Sequence, residues 1–401
     1  MNERHETGRL LILGASVFQI PIINKAKEMG LCVGIIDIDE NAPAFSSADE
    51  CFVCSIRDYD GVLKIAEKFK PTGIMPGAVE TAVNTVAAVC ETLHLPGNSV
   101  SVAIQSTDKV KMLESFEDAN VPHPLYQVIK KDEIDSAEIG IQYPVISKPM
   151  DSAGGRGVCI IHEQKKLKEC LAFSSNAGLS GDILVQEYMK GPEVSVEILV
   201  IEEIPYVLQI TDKLTSGEPH FFEVGHSQPS SLPERTRESI KELACSAVKA
   251  IGLKNSPAHV EIIVTEQGPK MVELGSRLGA DCITSYLLDN SITGVNMMQT
   301  AIELAVGRKP VIADYSNNEH YVGVHFIPSQ KGILRKIEYT GDLYESDNVI
   351  KIEITGIIGK EYINAKENAS RFGYVVCKGE TKNEALNLCQ SVIDKIKFEL
   401  E

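Results

Sequence analysis

The chain has 401 residues, of which 43% are hydrophobic and 24% are charged, and this length and composition suit a soluble protein of two or three domains. Its formal net charge of −17 argues against nucleic acid or an anionic membrane as the main partner, because both attract a positive surface. The sequence opens without an apolar signal core, and no run reaches the length of a membrane-spanning helix, so the ten cysteines predict thiols in a reducing cytoplasm.

Short apolar runs alternate with helical patterns through the first hundred residues. The predicted strands and helices, in chain order, are Leu10–Gly14, Gln19–Met29, Val33–Asp37, Asp58–Lys68, Gly73–Met75 and Thr81–Leu93. Alternation of this kind predicts a parallel sheet covered by helices on its faces. Gly14, at the first strand-to-helix turn, and Asp37 together suggest NAD binding. However, the glycines two and five residues after Gly14 are missing, which leaves an ordinary tight turn as the alternative.

Cys51 and Cys54 have the spacing of a CxxC pair. No second pair or histidine cluster accompanies them at metal-ligand spacing, and Glu50–Ser55 has the pattern of a short strand. We therefore expect buried strand cysteines rather than a redox or zinc site.

A second block, residues 107–308, is rich in strands with an antiparallel pattern. Its predicted elements are a helix at Lys109–Asn120, strands at Val145–Lys148, Val158–His162, Leu184–Glu187, Val194–Ile201 and Tyr206–Thr211, and helices at Glu234–Ile251 and Asn296–Val306. The pattern of residues 309–401 predicts a small α+β unit that ends in a helix at Asn383–Phe398.

The most informative segment is the predicted hairpin Ala258–Leu274. A three-residue loop would pair Thr265 with Pro269 and would therefore place Glu261 directly opposite Glu273. Two carboxylates on one face, about 5 Å apart at Cβ, repel each other unless a cation lies between them. Magnesium is the cation that carboxylates and substrate phosphates hold together. The alternative is a pair of independent surface charges facing solvent.

A glycine-rich segment, Lys148–Gly157, joins two of the predicted strands. Its backbone N–H groups could bind phosphate oxygens, and the Lys148 ammonium could add a positive charge. It lacks the Gly-Lys-Ser/Thr ending of a Walker A loop, and an ordinary turn is the alternative.

Two further positions could bind a nucleotide or a substrate. Where the strand before the Gly191–Pro192 break ends, an unpaired N–H and C=O could bind the edge of adenine, and Glu193 could accept from ribose hydroxyls. An ordinary strand corner is the alternative. Arg277, four residues after Glu273, could bind a carboxylate or an acyl phosphate through two N–H groups, or could form a salt bridge with a neighbouring acid.

In this order, these segments resemble the ATP-grasp superfamily over about residues 8–310. The resemblance implies an α/β and α+β architecture. A Rossmann-like N-terminal domain would cover residues 1–106, a central ATP-grasp domain residues 107–308, with a mobile lid at about 122–191, and a C-terminal α+β cap residues 309–401. It also implies the site residues: Lys109, Lys148, Gly154, Gly155 and Lys213 for phosphates; Gln186, Glu187 and Met189 for adenine; Glu193 for ribose; Glu261 and Glu273 for magnesium or manganese; Arg277 and His226 for substrate; and Arg277 and Lys148 as catalytic residues.

Within the superfamily, the segment Phe222–Pro229 resembles L-amino acid ligases and related carboxylate–amine ligases. That resemblance implies a cytoplasmic homodimer that joins a small carboxylate to an amine through an acyl phosphate and releases ADP and phosphate. Two positions differ from the common pattern, since Gly275 replaces an Asn and Gln186 replaces an acid.

The sequence also allows other functions for the chain and another role for His226. The chain could instead resemble phosphoribosylamine–glycine ligase, carbamoyl-phosphate synthetase or biotin carboxylase in its reaction. It could also be a nucleotide-binding regulator without turnover, or a dehydrogenase. His226 could be a structural loop histidine rather than a substrate contact.

Overall fold

A computed structural model describes residues 8–152 and 154–401, so residues 1–7 of the predicted N-terminal domain and Ala153 of the glycine-rich segment lie outside the described residues. The N-terminal part contains a four-stranded parallel sheet in the order β3-β2-β1-β4. Its strands and helices are β1 Arg9–Leu13, α1 Ile20–Glu28, β2 Cys32–Asp37, β3 Glu50–Val53, α2 Tyr59–Phe69, β4 Gly73–Met75, α3 Val83–Leu93 and α4 Val100–Gln105. The predicted parallel sheet is therefore confirmed.

Local chemistry explains where these helices begin and end. Asp58 caps α2 by accepting from the Gly61 N–H, and Lys70 ends the helix in the left-handed conformation. Asp37 does not stand free at the end of β2, because its carboxylate accepts backbone N–H groups from Ala15 at 2.8 Å and Asp39 at 3.0 Å. These bonds stabilise the turn after β1, as expected of an ordinary tight turn.

The CxxC pair lies at the edge of this sheet. Cys51 is exposed on β3, Cys54 is half-buried, and both thiols are free. The prediction that both are buried is wrong for Cys51, because β3 is an edge strand with solvent on one side.

A second, four-stranded antiparallel sheet lies within the segment predicted to be a lid, which we call the lid sheet, with the strands in the order β5-β8-β6-β7. The helix that precedes it and the lid elements are α5 Lys109–Asp118, β5 Tyr126–Ile129, β6 Val145–Pro149, β7 Cys159–Ile161, α6 Leu167–Ala177 and β8 Ile183–Glu187. One face of the sheet packs on α6 through an apolar core that contains Val145, Ile161 and Leu171.

The largest sheet has eight strands in the order β13-β12-β9-β10-β11-β16-β20-β18. The elements of this half of the molecule up to residue 305 are β9 Glu193–Ile201, β10 Ile204–Thr215, β11 Glu223–Gln228, α7 Glu234–Ile251, β12 Ser256–Thr265, β13 Gly268–Gly275, α8 Asp289–Ser291, β14 Ile292–Thr293 and α9 Met297–Ala305. The remaining elements are β15 Ser316–Asn317, β16 Tyr321–Pro328, β17 Gly332–Tyr339, β18 Val349–Ile354, β19 Glu361–Tyr362, β20 Arg371–Gly379, α10 Lys382–Ile393 and β21 Ile396–Leu400. Strands from the C-terminal part thus continue the central sheet.

The last predicted helix is too long. It ends at Ile393, and Ile396–Leu400 forms β21, which pairs with β17. The segment Ile-Lys-Phe-Glu-Leu alternates apolar and charged residues with a period of two, which suits a half-buried strand rather than a helix.

The hairpin of β12 and β13 has the predicted pairing but a different turn. Thr265 pairs with Gly268 across a two-residue loop, so the predicted three-residue loop is wrong. A bulge between Glu261 and Ile262 on one strand, and between Glu273 and Met271 on the other, shifts the register by one residue. Glu261 therefore lies opposite Glu273 after all, because the shorter turn and the bulge compensate each other.

The even-numbered residues of β9 provide the core on one face of the central sheet. Ile198 is fully buried there among residues of α7 and of the neighbouring strands. We expect Ile198→Ala to lower the free energy of unfolding by about 2–5 kcal/mol, because it leaves a cavity that the rigid sheet cannot close. Urea denaturation followed by circular dichroism measures the loss. Ile204→Ala, at a side chain that is 54% exposed, is the matched control and should change stability by less than about 0.5 kcal/mol. Equal losses in the two variants would contradict this packing.

Candidate active site

The candidate site lies on one face of the central sheet, opposite the face that packs on α7. Because side chains alternate along a strand, the odd-numbered residues of β9 and β12, and those of β10 after its bulge at Val207–Gln209, point away from this apolar core. The polar members of this face that form the site are Glu193, Glu197, Lys213, His259 and Glu261. The alternation of each strand therefore supplies both the core and the site.

Glu261 and Glu273 face each other across β12 and β13. The Glu261 Oε1 atom lies 3.0 Å from the Lys213 Nζ and 3.2 Å from the His259 Nε2. Burial opposes ionisation, but Lys213 and His259 hold the pKa of the Glu261 carboxyl far below its ordinary value. Among the described residues, Glu273 has no ion-pair partner.

The ammonium of Lys213 lies at the centre of the buried charges. Its Nζ is 2.7 Å from Glu193, 2.9 Å from Glu223 and 3.0 Å from Glu261, and its side chain is only 3% exposed. Burial lowers the pKa of Lys213, but the three carboxylates outweigh burial and raise that pKa well above its ordinary value. Lys213 is therefore a permanent positive charge. In this structure Lys213 forms ion pairs with three carboxylates. Its contact with a phosphate stays a prediction.

His259 lies between two carboxylates. Its Nδ1 is 2.6 Å from the Glu197 Oε1, and Glu197 itself is fully buried. Burial lowers the pKa of His259, but Glu197 and Glu261 outweigh it and raise the pKa to about 9. The imidazole is therefore a cation at neutral pH, and it neutralises part of the charge on the sheet. Gly279 leaves space for the Glu197 carboxylate, since a Cβ at Gly279 would lie 2.7 Å from the Glu197 Oε2.

Lys148 reaches the same site from the lid strand β6. Burial lowers its pKa to about 8, although Glu273, Glu261 and Glu193 oppose the shift. Like charge on Lys109 also lowers the Lys148 pKa, so the two predicted phosphate-binding lysines lie within electrostatic range of each other. Lys109, at the start of α5, donates to the Ser152 carbonyl at 2.8 Å and so holds the glycine-rich loop.

The glycine-rich loop is open at its tip and tight at its base. Gly154 and Gly155 have φ angles of +69° and +75°, and among the described residues no atom beyond the chain neighbours lies within 4 Å of the position that a Cβ would take. At the base, a Cβ on Gly157 would lie 2.5 Å from Ala177 and 2.7 Å from Pro149. Glycine is therefore required where the loop closes against α6, and the tip is left free to contact a ligand.

The predicted adenine-binding residues lie where β8 ends. Gln186 pairs with Ile146 on β6, two residues before Lys148, so the two predicted ATP contacts share one sheet. Gln186 is buried and its Nε2 has no hydrogen-bond partner among the described residues. The Glu187 carboxylate forms an ion pair with Lys270 and accepts from the Leu125 N–H. Met189 follows in an irregular segment.

Arg277 forms the salt bridge that the sequence left open as an alternative. Its Nε donates to the Glu80 Oε2 at 2.9 Å, and its Nη1 donates to the Leu278 carbonyl at 3.0 Å. Burial lowers the pKa of Arg277, but Glu80 above all, with smaller effects of Glu261 and Glu273, outweighs burial and raises that pKa. Gly275 makes this pair possible, because a Cβ there would lie 2.9 Å from the Glu80 Oε2. The absence of the common Asn at this position thus has a steric reason.

His226 is fully buried on β11, opposite Lys213 on β10. Its Nε2 lies 3.4 Å from Glu223, and neither ring nitrogen has a well-aligned hydrogen bond among the described residues. Glu223, His226 and Asp281 bring their ligand atoms within 4.8 Å of one another, as a metal site would. However, the Arg371 guanidinium lies 3.0 Å from Asp281 and already provides a positive charge there. We therefore assign this cluster no metal.

Sequence reasoning missed several residues of this site. Glu80, Glu223, His259, Asp281 and Arg371 all contact predicted site residues or each other, and Glu197 contacts His259. A signal existed for Glu80, which follows β4 at the carboxyl edge of a parallel sheet, where ligands commonly bind. Arg371 is 148 residues from Glu223 and has no local pattern that would reveal the contact.

The residues present fit a divalent cation. Glu261 is ionised, Glu273 lies directly opposite it without a protein cation of its own among the described residues, and both offer the oxygen ligands that magnesium prefers. The unpartnered Nε2 of buried Gln186 likewise fits a base that accepts a hydrogen bond.

Comparison with known families matches two regions of the chain. Residues 141–285 match the ATP-grasp domain, and residues 325–401 match the L-amino acid ligase C-terminal domain 2. No helix among the described residues is both apolar and long enough to span a bilayer.

Individual proteins are similar at low identity. Carnosine synthase 1 of Gallus gallus is 22% identical over 353 residues, which cover 80% of this chain but only 38% of that protein. The L-amino acid ligase of Bacillus licheniformis has a TM-score of 0.84 at 22% identity and covers 98% of this chain and 99% of that one. Phosphoribosylglycinamide synthetase of Anaerococcus prevotii has a TM-score of 0.79 at 23% identity, covering 99% of this chain and 100% of that one. The structures share the fold. The chain therefore carries an ATP-grasp domain, followed by a C-terminal domain of the L-amino acid ligase type.

Proposed function

We propose that this protein is an ATP- and magnesium-dependent ligase that phosphorylates a small carboxylate and joins it to an amine. The observation that carries the proposal is the pairing of Glu261 with Glu273 on the sheet, within electrostatic range of the lid lysine Lys148. Phosphoryl transfer from ATP consists largely of positioning and charge neutralisation, and this arrangement offers both.

The first half-reaction would occur between the sheet and the lid. Lys109, Lys148 and the backbone of Gly154 and Gly155 would bind the phosphates. Magnesium held by Glu261 and Glu273 would neutralise charge on the transferring group. A substrate carboxylate oxygen would attack the γ-phosphorus as the bond to the bridging oxygen breaks, which yields an acyl phosphate and ADP. Closure of the lid would exclude water and protect the acyl phosphate from hydrolysis.

In the second half-reaction, an amine nitrogen would attack the acyl carbon and phosphate would leave. Arg277 would stabilise the oxyanion of the tetrahedral intermediate, since its guanidinium lies beside both metal-binding carboxylates. Its partner Glu80 would hold the guanidinium in place. His226, which is buried with its Nε2 3.4 Å from Glu223, remains our candidate for a substrate contact or for the proton that the amine releases.

Three finer points belong to the same proposal. Manganese would substitute for magnesium, because both accept carboxylate and phosphate oxygens. The enzyme would act in the cytoplasm, where ATP and amino acids are available. It would form a homodimer, which sedimentation of the purified chain can test.

A phosphate-release screen tests the function directly. The purified protein is incubated with ATP, magnesium and pairs of amino acids, and products are identified by mass spectrometry. We expect ADP and phosphate in equal amounts, together with a condensed product whose mass equals the two substrates less water. ATP binding without turnover across broad mixtures would instead support a regulator.

Glu273→Gln tests the metal site. We expect turnover to fall by about 100-fold or more, because removing one of two anionic ligands costs the cation several kcal/mol of charge stabilisation. Steady-state ADP release at increasing magnesium concentrations measures the effect, and high magnesium should restore part of the activity.

Glu266→Gln, in the exposed turn of the same hairpin, is the matched control. It should change turnover by less than about twofold, since it alters a solvated charge. Equal effects of the two substitutions, or a Glu273→Gln loss that magnesium does not reduce, would argue against metal binding at Glu273.

The lowered pKa of Lys148 predicts that ATP-dependent turnover depends on pH. Its pKa is lowered to about 8, so the free enzyme carries this positive charge below pH 8 and loses it above. We expect kcat/KM for ATP to decrease as the pH rises through about 8, because only the charged form attracts phosphate. Lys148→Arg, which stays charged, should keep kcat/KM level through this range, whereas Lys148→Met should be low at every pH. An unchanged inflection in Lys148→Met would assign the titration to another group.

A further inference from the structure

We propose that Cys159 and Cys170 form a reversible thiol–disulfide site that controls the mobility of the glycine-rich loop. The two sulfurs are in bonding contact, and their Cα atoms lie 5.8 Å apart, inside the range that a disulfide spans. The other eight cysteines of the chain are free. The sequence predicts thiols throughout, so this pair is the exception to that prediction.

The position of the pair gives it a mechanical role. Cys159 is the first residue of β7, two residues after the loop ends at Gly157, and it pairs with Ser147, the neighbour of Lys148. β7 has only three residues and is the edge strand of the lid sheet. An edge strand this short has few ladder hydrogen bonds, so it holds the end of the loop weakly.

Helix α6 supplies the second anchor of the loop. The Ser174 hydroxyl donates to the Gly157 carbonyl at 2.8 Å and contacts the Ser147 hydroxyl at 2.8 Å. One turn earlier on the same helix, Cys170 bonds to Cys159. With the disulfide formed, the exit of the loop is attached to α6 covalently. With both thiols reduced, the Ser174 hydrogen bond and the three residues of β7 remain.

The exposure of the two residues suggests an order of reaction. Cys159 is partly exposed, whereas Cys170 is 7% exposed and belongs to the apolar core of the lid. Thiolate exchange requires access, so a small disulfide of the glutathione class would react first with Cys159. The Cys159 thiolate attacks one sulfur of that reagent and releases one thiol. The Cys170 thiolate then attacks the Cys159 sulfur and releases the second thiol. Two electrons and two protons pass from the protein to the reagent, so the exchange balances.

The consequence for catalysis depends on the proposed function, because it assumes that the loop covers ATP phosphates. An anchored loop would open and close more slowly, so oxidation should lower kcat for ADP release, and dithiothreitol should restore it. The site itself can be tested without turnover, and its failure is therefore distinguishable from the failure of the proposed function.

The experiment uses the full chain, first reduced and then incubated with oxidised glutathione. Peptide mass spectrometry after alkylation reports which thiols are linked, and hydrogen exchange reports the mobility of residues 150–158. We expect a peptide joined through Cys159 and Cys170, and exchange in the loop about tenfold slower than in the reduced protein. Reduction with dithiothreitol should reverse both.

Two cysteine variants, one at the proposed site and one at a control position, test the assignment. Cys170→Ser should abolish the link and the oxidation-dependent slowing, whereas Cys245→Ser, at a half-buried free thiol on α7, should leave both unchanged. The proposal is overturned if Cys159 and Cys170 remain fully open to alkylation after oxidation. It is equally overturned if the link forms and exchange in residues 150–158 does not change.

Discussion

The site depends on one buried ammonium. Lys213 lies within 3.0 Å of Glu193, Glu223 and Glu261, three carboxylates that come from three different strands. Without a central cation, burying three negative charges on one sheet face would be strongly unfavourable. With it, the pKa values of Glu223 and Glu261 lie well below their ordinary value despite burial, whereas burial still raises the pKa of Glu193. The acidic face of the sheet is therefore stabilised mainly by a single lysine on β10. The protonated His259, beside Glu261, adds a second positive charge.

That arrangement leaves the two proposed metal ligands unequal. Glu261 forms ion pairs with Lys213 and His259, whereas Glu273 has no ion-pair partner among the described residues. Gly275 adds to the difference, since the space that a side chain would occupy there is taken by Glu80 from the N-terminal part. The Glu80–Arg277 pair also joins the parallel sheet to the central sheet across 197 residues of sequence. The position of Arg277 thus depends on contact between two parts of the chain.

The C-terminal part contributes to the site in a similar way. Arg371 on β20 binds Asp281 and lies 3.5 Å from the centre of the Phe326 ring, while Lys382 at the start of α10 lies 2.7 Å from Asp212, the neighbour of Lys213. Both cations lie beside acids that have little exposure, and so offset the cost of burying the negative charge. The strands that carry them extend the central sheet, so the C-terminal part completes the electrostatic balance of the site as well as the fold.

The sequence by itself determined the elements and the local pairings. The period of two in β9 and β12 separated core residues from site residues, and the hairpin itself was predictable, because both depend on neighbours along the chain. The turn alone does not place Glu261 opposite Glu273, since that pairing also needs the bulge. The sequence could not determine the compensating bulge, which depends on packing. Tertiary structure alone decided the partners of Lys213 and Arg277 and the link between Cys159 and Cys170. Those contacts join separate elements, and the balance of buried charge that selects them exists only when the elements come together.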